Sequence, residues 1–221
     1  MLERSRELLF ALVAIVCITI IYFLMLTLTR GIPAASGFYG HAMGILGFLL
    51  MLMTETLYSL RKRWKNARWG KMANWLEFHI FTGIVGPYLV LLHSSWKFNG
   101  LAGVVMLMTG VIVFSGFIGR YIYTAVPRSA NGIELSLGEI EAQVSQFEEQ
   151  IRLVSGQTII TPELRKLTRQ RDHLRRQAAN LVTARRMLSL WHSIHIPIGL
   201  TLFALAFVHA GAAIYYASLL H

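Results

Sequence analysis

The sequence predicts an all-α integral membrane protein of five transmembrane helices, with a helical hairpin inserted between the fourth and the fifth. Three observations carry this. Of the 221 residues 55% are apolar and only 14% charged, far from the balance of a water-soluble domain. Five apolar runs are long enough to cross a hydrocarbon core about 30 Å thick. Between the last two lies a polar segment whose apolar residues recur at alternating spacings of three and four, the signature of a packed pair of helices.

The five runs extend from Leu8 to Leu28, His41 to Leu60, Trp75 to Ser95, Leu101 to Tyr123 and Leu190 to Leu220. The first is longer than the apolar core of a secretory leader and is expected to stay as a span. The last exceeds the minimum length and can tilt or protrude. Residues 1–123 thus hold the first four spans, 124–189 the hairpin and 190–221 the fifth.

The net charge of +10 would suit a nucleic-acid binder, but the basic residues collect in loops beside the spans. Arg61, Lys62, Arg63, Lys65, Arg68 and Lys71 crowd one short loop and ten more lie in the 124–189 connection, while the two opposite loops hold only Arg30 and Lys97. Such asymmetry is an orientation signal, and no nucleic-acid partner is expected. It places the N-terminus and both rich loops in the cytoplasm and His221 outside, in a cell (inner) membrane. The third and fifth spans then run in the same direction. Trp64, Trp69, Trp75, Trp96 and Trp191 fall near the expected interfaces, as an aromatic belt requires.

Those two parallel spans share a pattern. His79 and His93 on the third are fourteen residues apart, and so are His195 and His209 on the fifth. Fourteen steps of an α-helix return to within about 40° of the start and rise about 21 Å, so each helix offers two imidazoles on one face, one per leaflet. Parallel helices set His79 level with His195 and His93 level with His209. Between the ligands the same face carries Gly83, Gly86 and Val90 on the third span, and Gly199, Leu202 and Ala206 on the fifth. Small residues on a ligand-bearing stripe leave room for a flat macrocycle. Ionisable side chains within a bilayer are costly and point to function. The pattern reads as two haem pockets stacked across a membrane, each iron held by one histidine from each helix. The single Cys17 and the lack of a C-x-x-C-H attachment site make both haems non-covalent, b-type.

The segments Phe78-His79 to His93-Ser94 and Trp191-His192-Ser193-Ile194-His195 to His209 resemble the di-haem cytochrome b membrane domains, notably the ferric-reductase-like and NADPH-oxidase-like transmembrane domains and the cytochrome b of quinol:cytochrome c oxidoreductases. The resemblance covers the third to fifth spans. It implies bis-histidine haem ligation and electron passage across the bilayer, and leaves the substrate open. The reductases continue into a flavin and nicotinamide domain, for which this sequence has no Gly-rich dinucleotide loop. The expected donor is another protein or a quinol, in a respiratory or extracellular-electron-transfer complex.

Other residues carry weaker signals. His192 is an alternative to His195, but its separation from His209 is seventeen rather than fourteen. Lys97 and Arg120 sit at depths suited to haem propionates and equally to topological anchoring. Glu55, beside Thr54, is either a proton acceptor for a quinone or a snorkelling interfacial acid. His41 opens the second span as an interface histidine or a quinone contact. Gly103, Gly110, Gly116 and Gly119 permit close approach of a neighbour to the fourth span.

The connection reads as an antiparallel coiled-coil hairpin. Its first arm has the seam Leu137, Ile140, Val144, Phe147, Ile151, Val154, opened by a Ser136/Glu139 capping box. After a Ser155-Gly156-Gln157 turn, Thr161-Pro162-Glu163 starts the second arm, with Leu164, Leu167, Leu174, Ala178, Leu181 and Leu188 interrupted by Arg171 and Arg185. An acidic first arm and a basic second arm favour antiparallel pairing, and the second arm can continue into the fifth span. The hairpin suits docking of a partner subunit or self-association, or contact with anionic lipid. His173 is expected to be exposed. The rival reading of the whole chain is a non-redox five-span scaffold or transporter subunit, its histidines serving as polar glue or proton relays. A zinc site is disfavoured by the lack of carboxylates near the histidines and by their vertical separation.

Overall fold

In the computed structural model, residues 6–63, 70, 72–124, 136–155 and 162–219 are described. Trp64, Lys65, Arg68, Trp69, Lys71, Gly156, Gln157, Thr161, Leu220 and His221, named above, lie outside them, as do the side chains of Lys62 and Ser155. Six helices account for the described chain, with no strand among its residues: α1 (Arg6–Thr29), α2 (Phe38–Arg63), α3 (Met72–His93), α4 (Gly100–Thr124), α5 (Leu137–Ser155) and α6 (Pro162–Leu219). α1 to α4 and α6 contain stretches long and apolar enough to cross a membrane, which makes the chain a multi-pass membrane protein. α6 carries both the second arm and the fifth span without a break.

The chain divides into two compact units, residues 1–116 with 195–221, and residues 117–194. In the first unit α3 is central. Against α2 it packs glycine on glycine: a Cβ on Gly47 would lie 2.8 Å from the Gly86 carbonyl oxygen, and one on Gly86 would lie 3.0 Å from that of Gly47. Backbones approach this closely only where neither helix has a side chain. Against α1 it buries Val85 and Leu89 on Ala11, flanked by Ala14, Ile18, Phe81 and Ile84, and the hydroxyls of Thr19 and Tyr88 hydrogen-bond at 2.5 Å. Pro87 removes one helical donor from α3, which a buried span tolerates because its neighbours pack around the break. A second cluster joins Met51 of α2, Val105 of α4, and Leu202 and Ala206 of α6, with Phe48, Val90, Met108 and Ile112 around it. The outward faces stay apolar, as at Phe10, Ile20, Phe114 and Ile214, each more than half exposed and matched to hydrocarbon rather than water.

The connections after α1 and α3 meet. Ser95 and Trp96, both with positive φ (49° and 63°), turn the chain out of α3, and the Ser95 hydroxyl donates to the Pro33 carbonyl at 2.6 Å. Two left-handed non-glycine residues in succession are costly, and this bond helps to hold them.

In the second unit α5 lays its apolar stripe on α6. Ile140 and Leu181 are 1% and 0% exposed and pack with Ala184, ringed by Leu137, Val144, Leu174, Ala178 and Leu188. Further along α5, Glu148 pairs with Arg175, earlier on α6, at 2.7 Å, so the contacts run in opposite senses along the two helices. The capping box forms at the start of α5: the Glu139 amide donates to the Ser136 hydroxyl, and the Ser136 amide to the Glu139 carboxylate, both at 3.1 Å. Gly119 of α4 gives way to the Trp191 indole, which would come within 2.3 Å of a Cβ placed there.

Candidate functional site

Three of the four paired histidines have Nδ1 hydrogen-bonded to a group on another helix. His79 of α3 donates to the Thr54 carbonyl of α2 at 2.9 Å. His93, at the end of α3, donates to the Gly40 carbonyl of α2 at 2.8 Å. His195 of α6 lies with Nδ1 3.0 Å from the Ser115 hydroxyl of α4. A carbonyl oxygen only accepts, so at His79 and His93 the ring proton sits on Nδ1 and Nε2 is left with a free lone pair. That tautomer is the one in which imidazole binds a metal through Nε2.

At the His79 level the anchors belong to a network of side chains. The Thr54 hydroxyl donates to that of Thr82 at 2.7 Å, and Thr82 donates to the Phe78 carbonyl at 2.8 Å. Thr82 is fully buried. The Tyr58 ring lies 5.0 Å from the His79 ring, tilted by 49°. The next residue of α2, Glu55, reaches α6: its Oε2 would lie 3.7 Å from a Cβ on Gly199, one turn beyond His195. Ile112, one turn before Ser115 on α4, would lie 3.9 Å from the same point. One turn of α2 therefore touches both histidine helices, and α4 meets α6 at His195 and again at Gly199.

The His93 level is built from backbone. The His93 ring presses on Gly44, where a Cβ would come within 2.9 Å of Cγ and Nδ1. His41 is exposed and bonds back to the Gly37 carbonyl of its own turn at 3.2 Å. Between the two levels lie Met51, Val90, Val105, Leu202 and Ala206, a hydrocarbon floor with the buried Thr109 hydroxyl returned to the Val105 carbonyl at 2.8 Å.

The glycine stripe of α3 is divided between two tasks. Gly86 serves the α2–α3 crossing, whereas the nearest atom to a Cβ on Gly83 would be Thr54 Cγ2, at 3.4 Å. Gly199 has only the ordinary contacts to Glu55 and Ile112. Lys97 is exposed in the turn after α3. Arg120 and His192 fall in the second unit, both half-buried, with the His192 ring 4.8 Å from that of Trp191. Gly40, Gly44, Thr82 and Ser115 are not among the residues that histidine spacing singles out, and Thr54 enters there only as the neighbour of Glu55. The glycines had a signal, since Gly40, Gly44 and Gly47 recur at four and three residues along α2. Ser115 had none beyond being a polar residue in an apolar run.

Chemically, the unit offers imidazoles on α3 and α6, three of them hydrogen-bonded through Nδ1 to a neighbouring helix, among largely apolar side chains. Among the described residues no three histidine, cysteine or acidic side chains converge as a metal-ion cage does. The chain matches no protein-family model, no curated protein and no solved structure.

Proposed function

We propose that this protein is a di-haem b-type cytochrome that carries electrons across the bilayer, in which His79 and His195 would hold an inner haem and His93 and His209 an outer one. The observation that carries the reading is the Nδ1 anchoring: His79 and His93 donate through Nδ1 to main-chain carbonyls, the tautomer with its lone pair on Nε2, and His195 meets a serine hydroxyl through the same nitrogen. Histidines serving only as polar glue have no need to reserve the same nitrogen. The donor set fits haem, which supplies a one-electron carrier when bound by two neutral imidazoles.

The chain's own residues do the rest. Thr54, Gly40 and Ser115 fix ring orientation, and Gly83, Gly199 and Gly44 keep side-chain bulk away from the rings. The Met51, Val105, Leu202 and Ala206 layer excludes water between the levels, which raises the cost of charge there and so sets potential by burial. Lys97 and Arg120 are candidates for propionate pairing, with His192 the alternative ligand to His195. In this reading the N-terminus is cytoplasmic, the C-terminus is outside in the cell membrane, and the α5–α6 pair is a cytoplasmic coiled-coil hairpin that docks a partner subunit. Donor and acceptor are a quinol or partner proteins of a respiratory or extracellular-electron-transfer complex, with Glu55 the acid placed to receive a proton from a quinol.

A reduced-minus-oxidised spectrum of the purified chain is expected to show b-type bands, and a pyridine haemochrome assay two haems per chain. His79→Ala or His195→Ala removes one haem and His93→Ala or His209→Ala the other. A folded, colourless protein overturns the proposal in favour of a five-span scaffold. Retention of both haems in every single variant overturns the ligand assignment.

A further inference from the structure

We infer that Ser115 is the positioning residue of the His79 level: by holding His195 it sets how firmly that level keeps its haem and at what potential. The inference rests on the di-haem reading and deepens it. Of the three anchors, those of His79 and His93 are main-chain carbonyls, which no side-chain substitution removes. Ser115 is the exception, a hydroxyl contributed by α4, a helix that carries no paired histidine.

Two features make it an anchor rather than an incidental contact. First, α4 meets α6 at two successive turns, through Ser115 at His195 and through Ile112 toward Gly199, so the hydroxyl is placed by packing and not by a flexible side chain. Second, a hydroxyl can donate or accept, and only one choice supports ligation. If Ser115 donates to Nδ1, the ring proton moves to Nε2 and the ligand is lost. If it accepts, its own hydrogen goes elsewhere, and a helical serine has a carbonyl of the preceding turn within reach. Ligation by His195 therefore selects the accepting serine, and the serine in turn selects the Nδ1–H tautomer.

The electronic consequence follows. A hydrogen-bond acceptor on Nδ1–H raises the basicity of Nε2 and favours ferric over ferrous iron. Removing the acceptor weakens the oxidised form more and raises the potential. Loss of such a partner typically costs about ten- to a hundred-fold in affinity. A tenfold change in the ratio of ferric to ferrous affinity is about 59 mV for a one-electron couple.

The test uses the full chain in detergent, wild type and Ser115→Ala, →Thr and →Cys, with haem count by pyridine haemochrome and potentials by spectroelectrochemical titration. The component of interest is the one missing in His79→Ala. Ser115→Ala is expected to raise its potential and lower its occupancy about tenfold under haem-limiting conditions, leave the other component unchanged, and be rescued by Ser115→Thr. Where Ser115→Ala fails to fold, Ser115→Cys replaces it, a poor acceptor of similar size, with a shift of the same sign expected. Two haems with unchanged potentials and occupancy in the folded non-hydroxyl variant overturn the role of Ser115 and leave the di-haem reading standing. A wild-type chain without haem overturns both.

Discussion

The two histidines of α3 are each anchored to a main-chain carbonyl, but what supports those anchors differs. Around His79 the supports run through hydroxyls and rings, Thr54 to Thr82 and Tyr58 against the imidazole, and on α6 the Ser115 hydroxyl likewise meets His195. Around His93 they run through what is missing, since the ring rests on Gly44 and bonds the Gly40 carbonyl of a helix that glycines allow to come close. The first level can be weakened by taking atoms away. The second has almost no side-chain atoms to remove and is broken by adding them.

The largest effect is expected where addition strikes the scaffold of both levels. Gly86→Leu places a side chain against the Gly47 carbonyl and Met51, with backbone at 3.0 Å that cannot yield. Overpacking of this kind costs about 1–3 kcal/mol or more. The α2–α3 crossing should open, taking the carbonyls of Gly40 and Thr54 away from their histidines, and on the proposed di-haem reading both haems should be lost in the haemochrome assay. Retention of either one would show that the level concerned does not depend on this crossing.

Next comes the variant that separates the levels. In Gly44→Ala a single methyl meets Cγ and Nδ1 of His93 at 2.9 Å and Cε1 at 3.0 Å. The ring must move, and the Gly40 bond stretches with it. On the same proposed reading, the haem assigned to His93 should be lost or its bands shifted while the one assigned to His79 is unchanged. Equal damage to both would mean that the levels are not independent.

Subtraction gives the reciprocal test. Thr82→Val keeps shape in a fully buried site but deletes the hydroxyl that links Thr54 to the Phe78 carbonyl. The Thr54 hydroxyl keeps an alternative acceptor, the Leu50 carbonyl at 2.8 Å, so no buried donor is orphaned. A loss of about 0.5–1.5 kcal/mol in stability is expected, with both haems kept and a shift confined to the His79 component. Denaturant titration and the haem potentials report the two halves of that expectation.

This division also explains what the sequence reveals. The five spans stand out because hydrocarbon demands long apolar helices, and the helix ends fall within a few residues of the apolar runs for α1, α3 and α4. The start of the second arm at Pro162 and the Ser136/Glu139 cap are legible because their chemistry is local. Partners across helices are not. Nothing at Thr54 or Gly40 announces that its carbonyl serves a histidine 25 or 53 residues away, because every residue has a carbonyl. Gly86 illustrates the same limit: periodicity placed it on the histidine face, but only the approach of Gly47 reveals which neighbour its missing side chain admits.

The smallest effect extends the contrast to the second unit, where a side-chain anchor is also titratable. At the start of α5 the amide and hydroxyl of Ser136 beside Glu139 hold its carboxyl below the usual carboxylate range, both bonds favouring the charged form. A lowered pKa means that the cap contributes fully above the ordinary glutamate range, and that its contribution fades as pH falls through the lowered value. Glu139 is exposed, so only local fraying is expected, not unfolding. Amide exchange at Ser136 should speed up several-fold, relative to the intrinsic rate, as pH falls below that range, and Glu139→Gln should abolish that dependence while still accepting the Ser136 amide. The amides beneath Ile140 and Leu181, held by burial rather than by a titrating group, should show no such change. If they open together with Ser136, the cap is holding the packed pair as a whole, and the distinction between anchors of side chain and of backbone fails in this unit.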